Sequence, residues 1–109
     1  MEPERTIYVV EDDADVRRSL KLVLEVSGFQ ATTFEGGSEF LRAVDALDPG
    51  TVLLDLRMKG MDGVKVLKEL AARSFACPVI LMTGHGAPEV GQEAIAAGAA
   101  AFIEKPFDE

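Results

Sequence analysis

The amino-acid sequence predicts an α/β protein: a doubly wound, five-stranded parallel sheet in the order 2-1-3-4-5, in one domain over residues 1–109. Three observations predict it. Short apolar runs alternate along the chain with longer stretches whose apolar residues recur at helical spacing. The apolar runs are near-continuous, as in strands buried on both faces. Their ends are polar, namely Glu11-Asp12, Asp55, Thr83 and Lys105, and open α/β sheets collect their chemistry at the carboxyl ends of strands.

The first strand is Ile7-Tyr-Val-Val10, which stops abruptly at Glu11-Asp12-Asp13. Asp13 is a natural N-cap for the helix that follows. In that helix Val16, Leu20, Val23, Leu24 and Ser27 share one face, and Gly28 ends it as a C′ glycine. Gln30 to Phe34 is a more polar second strand, expected at an edge. After Gly36-Gly37, Ser38 is expected to cap a second helix with an apolar face of Phe40, Leu41, Val44 and Leu47. Asp48-Pro49-Gly50 reads as a turn. Thr51 to Asp55 is the third strand, and the chain is organised around it. A loop with Gly60 and Gly63 leads into a third helix, about Asp62 to Arg73, expected to bury Val64, Leu67, Leu70 and Ala71. Pro78 to Met82 is the fourth strand, followed by the small-residue loop Thr83-Gly-His-Gly86. A fourth helix is expected over roughly Pro88 to Ala97; Gly91 and its alanines make it the weakest packed. The fifth strand is Ala100 to Ile103, leading into Glu104-Lys105-Pro106. The sequence stops at Glu109, where a fifth helix would be expected to begin; without it apolar surface beside the first helix would be open to water, so either that helix or another chain is expected to cover the face.

A formal net charge of −8 argues against direct nucleic-acid binding by this domain and suits a cation site or a basic partner. Cys77 is the single cysteine, so no internal disulfide forms, which fits a reducing, cytoplasmic setting; beside Pro78 it reads as a small buried hydrophobe. No apolar stretch is long enough to span a membrane, and the acidic N-terminus is not a signal peptide.

In the predicted order the first and third strands are neighbours across the switch point. Glu11, Asp12 and Asp55 then converge on one crevice, where like charges repel. A hard divalent cation relieves that conflict, and an all-oxygen set with few protein groups suits Mg²⁺. Asp55 is the candidate nucleophile toward a phosphoryl group. Phosphoryl transfer needs charge neutralisation and alignment, for which Mg²⁺, the Lys105 ammonium and the Thr83 hydroxyl are the candidates.

Val9-Val-Glu-Asp-Asp13, Leu54-Asp-Leu-Arg-Met58, Met82-Thr-Gly-His-Gly86 and Phe102-Ile-Glu-Lys-Pro-Phe107 together resemble the response-regulator receiver domain of two-component signalling, whose sheet is of the flavodoxin or CheY type. The last three strings look most like the FixJ-type branch. The resemblance implies that Asp55 accepts a phosphoryl group from a sensor histidine kinase or phosphotransfer protein. It implies Glu11 and Asp12 as the acidic pair, the backbone carbonyl of Arg57 as a further metal ligand, Thr83 and Phe102 as a switch pair and Lys105 as the phosphate-pairing lysine. It implies a homodimer or an output domain, transcriptional in kind, controlled through the fourth helix and fifth strand. Such a domain is no enzyme toward outside substrates and catalyses only its own phosphoryl transfer and dephosphorylation. Two positions depart from the pattern: Glu11 stands where aspartate is usual, and Lys59 where many relatives have proline.

Other readings compete. The same fold can serve as a non-phosphorylated interaction module, against which the joint presence of Asp12, Asp55, Thr83 and Lys105 speaks. A haloacid-dehalogenase-like phosphatase would carry a second acid two residues after the nucleophile, where this chain has Arg57. A flavodoxin-like binder would need a glycine- and hydroxyl-rich loop after the first strand, where this chain has acids. Asp13 and Asp15 are read as helix N-terminal acids, favourable to the dipole. His85 has no nucleophile partner in the pattern and reads as a solvent-facing loop residue.

Overall fold

The computed structural model describes residues 5–58, 62–83, 92 and 95–104. Five parallel strands are present: β1 (Thr6–Val10), β2 (Gln30–Phe34), β3 (Thr51–Asp55), β4 (Val79–Thr83) and β5 (Ala101–Glu104). They lie in the order β2-β1-β3-β4-β5, as expected. Three helices connect them: α1 (Ala14–Val26), α2 (Gly37–Ala43) and α3 (Gly63–Ala72). Of the expected fourth helix, Gln92, Ile95 and Ala96 are helical, and the rest lies outside the described residues. None of the described helices is long and apolar enough to cross a membrane.

The helix ends follow local chemistry. Asp13 caps α1, its carboxylate accepting from the backbone N–H groups of Asp15 and Val16. At the other end Gly28 takes φ +98°. Its N–H donates to the Glu25 carbonyl, and that of Phe29 to the Leu24 carbonyl, which is the paired bonding of a Schellman motif. Asp62 caps α3 by accepting from the Lys65 N–H. Ser38, expected as a cap, lies inside α2 instead; extended Gly36 is the N-cap and no side chain bonds there. Helix α2 is shorter than its apolar pattern suggests. After Ala43 it tightens into a 3₁₀ turn over Val44–Ala46, leaving Leu47 half-buried beyond it.

The two faces of the sheet are covered unequally. One carries Tyr8, Val10, Val52, Leu54, Val79 and Leu81, which pack with Phe40, Val44, Val66, Leu67 and Leu70 into the main core. Tyr8, Phe34, Phe40 and Phe75 form an aromatic chain through it, with centroids 5.2 to 6.4 Å apart. Helix α3 buries Val66 with Leu67 and Leu70, whereas Val64 is only half-buried and Ala71 is exposed. The buried stripe is therefore turned from the expected one toward Gly63 and Val66. By strand alternation the opposite face holds Ile7, Val9, Leu53, Asp55, Ile80 and Met82. There Leu53 and Ile80 are half-exposed, and α1 has no fully buried residue. Leu22 and Val26 on α1 are 64% and 79% exposed.

Two close approaches tie the frame to the end of β3. Gly63 begins α3 directly against the chain leaving β3. A Cβ there would sit 2.6 Å from the Asp55 carbonyl oxygen and 2.9 Å from the Leu56 Cα. At the other end, the Tyr8 hydroxyl donates to the Asp48 carbonyl at 2.6 Å. Burial, with the neighbouring Asp48 and then Cys77, raises the Tyr8 phenol above its ordinary value of 10.0.

Gly63→Ala should lower unfolding stability by roughly 1–3 kcal/mol, since only backbone could yield; a urea denaturation midpoint reads this directly. The neutral Tyr8 phenol is favoured in the folded state. Its contribution is therefore complete below about pH 10 and is lost as pH rises through the elevated folded value. Tyr8→Phe should be less stable than the parent at neutral pH, and the gap should narrow in strongly alkaline buffer in melts run across pH.

Candidate functional site

The strand order reverses between β1 and β3, which pair in parallel with Val10 opposite Leu54. Their carboxyl ends therefore open the crevice at which such sheets bind ligands. β1 delivers Glu11 and Asp12 into it, and β3 delivers Asp55. One carboxylate oxygen from each of Glu11, Asp12 and Asp55 lies within 4.8 Å of the others. Glu11 is 1% exposed and Asp55 2%, while Asp12 is half-buried and faces the opening.

Local geometry holds the acids in place. The Glu11 N–H donates to the Phe34 carbonyl at 3.1 Å, extending the β1–β2 ladder by one residue. Its Oε2 accepts from the Asp13 N–H at 3.1 Å. Arg17, on the first turn of α1, donates to the Glu11 carbonyl at 2.8 Å. The sequence reading missed this support; its signal is a basic residue six positions after Glu11, on the side of α1 that faces back to β1. The Arg57 N–H donates to Asp55 Oδ1 at 3.4 Å, while the Arg57 side chain is exposed. The chain leaving β3 is held further by the Leu56 N–H on the Met82 carbonyl at 2.8 Å.

Thr83 ends β4, fully buried, in register with Glu104 on β5. Phe102 stands opposite Leu81 and is half-buried against the main core. Leu81 and Thr83 are two residues apart, so Thr83 and Phe102 belong to the same face of the sheet. Lys105 and the loop Gly84-His85-Gly86 lie outside the described residues. The structure thus brings Glu11, Asp12 and Asp55 together and sets Thr83 at the end of β4, the strand next to β3. A cluster offering only carboxylate oxygens, with one side open, fits a hard divalent cation such as Mg²⁺, which keeps several waters.

Comparison with known proteins agrees with this geometry. Residues 7–109 match the family model described as the response regulator receiver domain. The chain is 43% identical over 103 residues to the transcriptional regulatory protein FixJ of Bradyrhizobium diazoefficiens, and 46% identical to that of Azorhizobium caulinodans; both alignments cover 94% of this chain. It spans about half the length of these curated relatives. Among solved structures, the one titled crystal structure of FixJ-N superposes with a TM-score of 0.90 at 37% identity, covering 100% of this chain and 86% of the other. Full-length FixJ from B. japonicum superposes at 0.87 with 43% identity, covering 94% of this chain and 51% of that one.

The three gathered acids repel when no cation is present. Asp12→Asn, which removes one of three like charges, should raise stability by about 1 kcal/mol in buffer containing chelator. Thermal melts of both proteins with and without Mg²⁺ test it: the variant should gain in chelator and respond less to the metal.

Proposed function

The chain belongs to the response-regulator receiver-domain family, and on that premise we propose that Asp55 is its phosphoryl acceptor, in a switch charged by a sensor histidine kinase or phosphotransfer protein. The observation that carries this reading is the convergence of Glu11, Asp12 and Asp55 at the β1–β3 switch point. Domains of this family are signalling modules of two-component response regulators rather than classical enzymes.

In the transfer, an Asp55 carboxylate oxygen forms a bond to phosphorus as the P–N bond of the donor phosphohistidine breaks, and the electron pair returns to the imidazole. Glu11 and Asp12, with Asp55 and the Arg57 carbonyl, would hold Mg²⁺. When bound, the cation supplies charge neutralisation for the phosphoryl oxygens. The chain's own residues do the rest. The Asp55 backbone is fixed by the β3 ladder and by the close approach of Gly63. Burial shields the carboxylate from bulk water. Thr83 supplies a hydroxyl donor and Lys105 a cation for the remaining oxygens.

The consequence is a change of surface. A phosphoryl group adds charge and strong acceptors at Asp55, toward which the Thr83 hydroxyl turns. Space opens behind Thr83 on the sheet face that also carries Phe102, and the Phe102 ring turns inward to fill it. A few kcal/mol suffices, because a switch biases two nearly balanced states. The surface of the fourth helix and β5 then controls a homodimer or a transcriptional output domain. The reading implies a cytoplasmic protein whose receiver domain makes no direct contact with nucleic acid or membrane.

Acetyl phosphate with Mg²⁺ should raise the intact mass by one phosphoryl group. Chelator or Asp55→Asn should abolish the rise. Persistence of the rise in the folded Asp55→Asn protein would assign the phosphoryl group elsewhere, and its absence in the parent would favour the non-phosphorylated interaction module.

A further inference from the structure

A second charged feature lies away from the acidic crevice. Helices α2 and α3 pack side by side over the main core, and a groove of about 640 Å³ runs between them. Arg42, Lys65, Lys68 and Arg73 line it, with Leu41 and Glu69. The chain holds eleven lysines and arginines against nineteen acids, so four of those cations share one groove while the remaining surface is more acidic than the average. The groove is held in shape by Arg73. Its Nη1 donates to the Leu41 carbonyl across the two helices at 3.0 Å, and its Nε meets Glu69 at 3.1 Å. Arg42 reaches Glu39 only at 3.9 Å, with both side chains largely exposed. Lys65 and Lys68 are exposed and enter no ion pair among the described residues.

Charge balance inside the groove is thus left positive. The cations are carried on long alkyl stems, which cover apolar surface while their heads stay wet. With Leu41 among the lining residues, the groove offers apolar contact flanked by unanswered positive charge.

We propose that the α2–α3 groove is a docking surface for an acidic peptide segment of a partner protein, with carboxylates on either side of an apolar side chain. Charge complementarity argues for the acid. Extent argues for a peptide rather than a nucleic acid. The molecule measures 36 × 34 × 23 Å, and a duplex laid on the groove would continue over surface that repels phosphate, on a chain of net charge −8. A short peptide stays within the basic patch. Rim charges of this kind set partner choice and encounter rate more than raw affinity, so a weak, salt-sensitive contact is expected.

The test uses the full chain and a labelled peptide of glutamates around one leucine, followed by fluorescence anisotropy. Binding should saturate and weaken steadily with added salt. The double variant Lys65→Glu, Lys68→Glu should weaken it roughly tenfold, as expected for two lost charge contacts. Lys65→Ala, Lys68→Ala should weaken it less, and guards against an effect of charge reversal on folding, which circular dichroism checks for both. Equal binding of the glutamine analogue, or undiminished binding by either folded variant, would overturn the proposal. Tighter binding of a short DNA duplex than of the peptide would overturn it too.

Discussion

Three carboxylates with oxygens inside 4.8 Å of one another are the constraint around which this fold is arranged. Unit charges about 4 Å apart repel by roughly 1 kcal/mol in water and about 4 kcal/mol at the effective dielectric of a protein surface. Two of the three, Glu11 and Asp55, are almost wholly removed from solvent. Such a cluster persists only because other interactions over-determine it. Glu11 is the next residue after a fully buried strand and continues its ladder to Phe34. Asp55 is the last residue of the central strand, paired with Met82 on one side of the sheet. Backbone N–H groups of Asp13 and Arg57 point at the carboxylates and answer part of their charge.

The unequal burial of the two sheet faces gives that crevice its foundation. The face packed by α2 and α3 is continuous from Tyr8 to Leu81 and includes the aromatic chain through Phe34, Phe40 and Phe75. It anchors β1, β3 and β4 from below, so their carboxyl ends hold position. The face beneath α1 is looser, with half-exposed Leu53 and Ile80 under a helix that has no fully buried residue. Thr83 and Phe102 belong by alternation to the well-packed side, where a void behind a side chain is costly.

Much of this was legible in the sequence because it depends on short-range rules. Continuous apolar runs marked the strands, Asp13 and Gly28 marked the ends of α1, and the acids after the first and third runs marked the carboxylate cluster. What was not legible depends on how separate elements meet. The β4 ladder begins at Val79 rather than Pro78, since a proline has no N–H to give, although the Pro78 carbonyl still accepts from Val52. Ser38 offered the right chemistry for a cap, but the helix begins ahead of it, at buried Gly37 with extended Gly36 as the N-cap. The buried stripe of α3 turns toward Val66 because Gly63 lets the helix start flush against the β3 exit, and Ala71 is carried to the outside. The support that Arg17 gives to Glu11 needs the fold of the strand–helix corner, and periodicity along α1 does not report it.

Charge distribution is the last property that only the assembled fold displays. Composition gives one number, a net −8, and that number points to a cation or a basic partner. The fold separates it into two opposite features. Acids gather at the carboxyl end of β1 and β3, where parallel strands must bring their termini together. Cations gather between α2 and α3, where Arg42 on one helix meets Lys65, Lys68 and Arg73 from the other. These four residues span more than thirty positions, and no local pattern links the first to the rest. Arg73 joins them mechanically as well as electrically, since its bond to the Leu41 carbonyl spans the two helices that cover the main core. The same core thus separates two sites of opposite charge. One gathers carboxylates at the strand ends, and the other gathers cations on a separate helical surface.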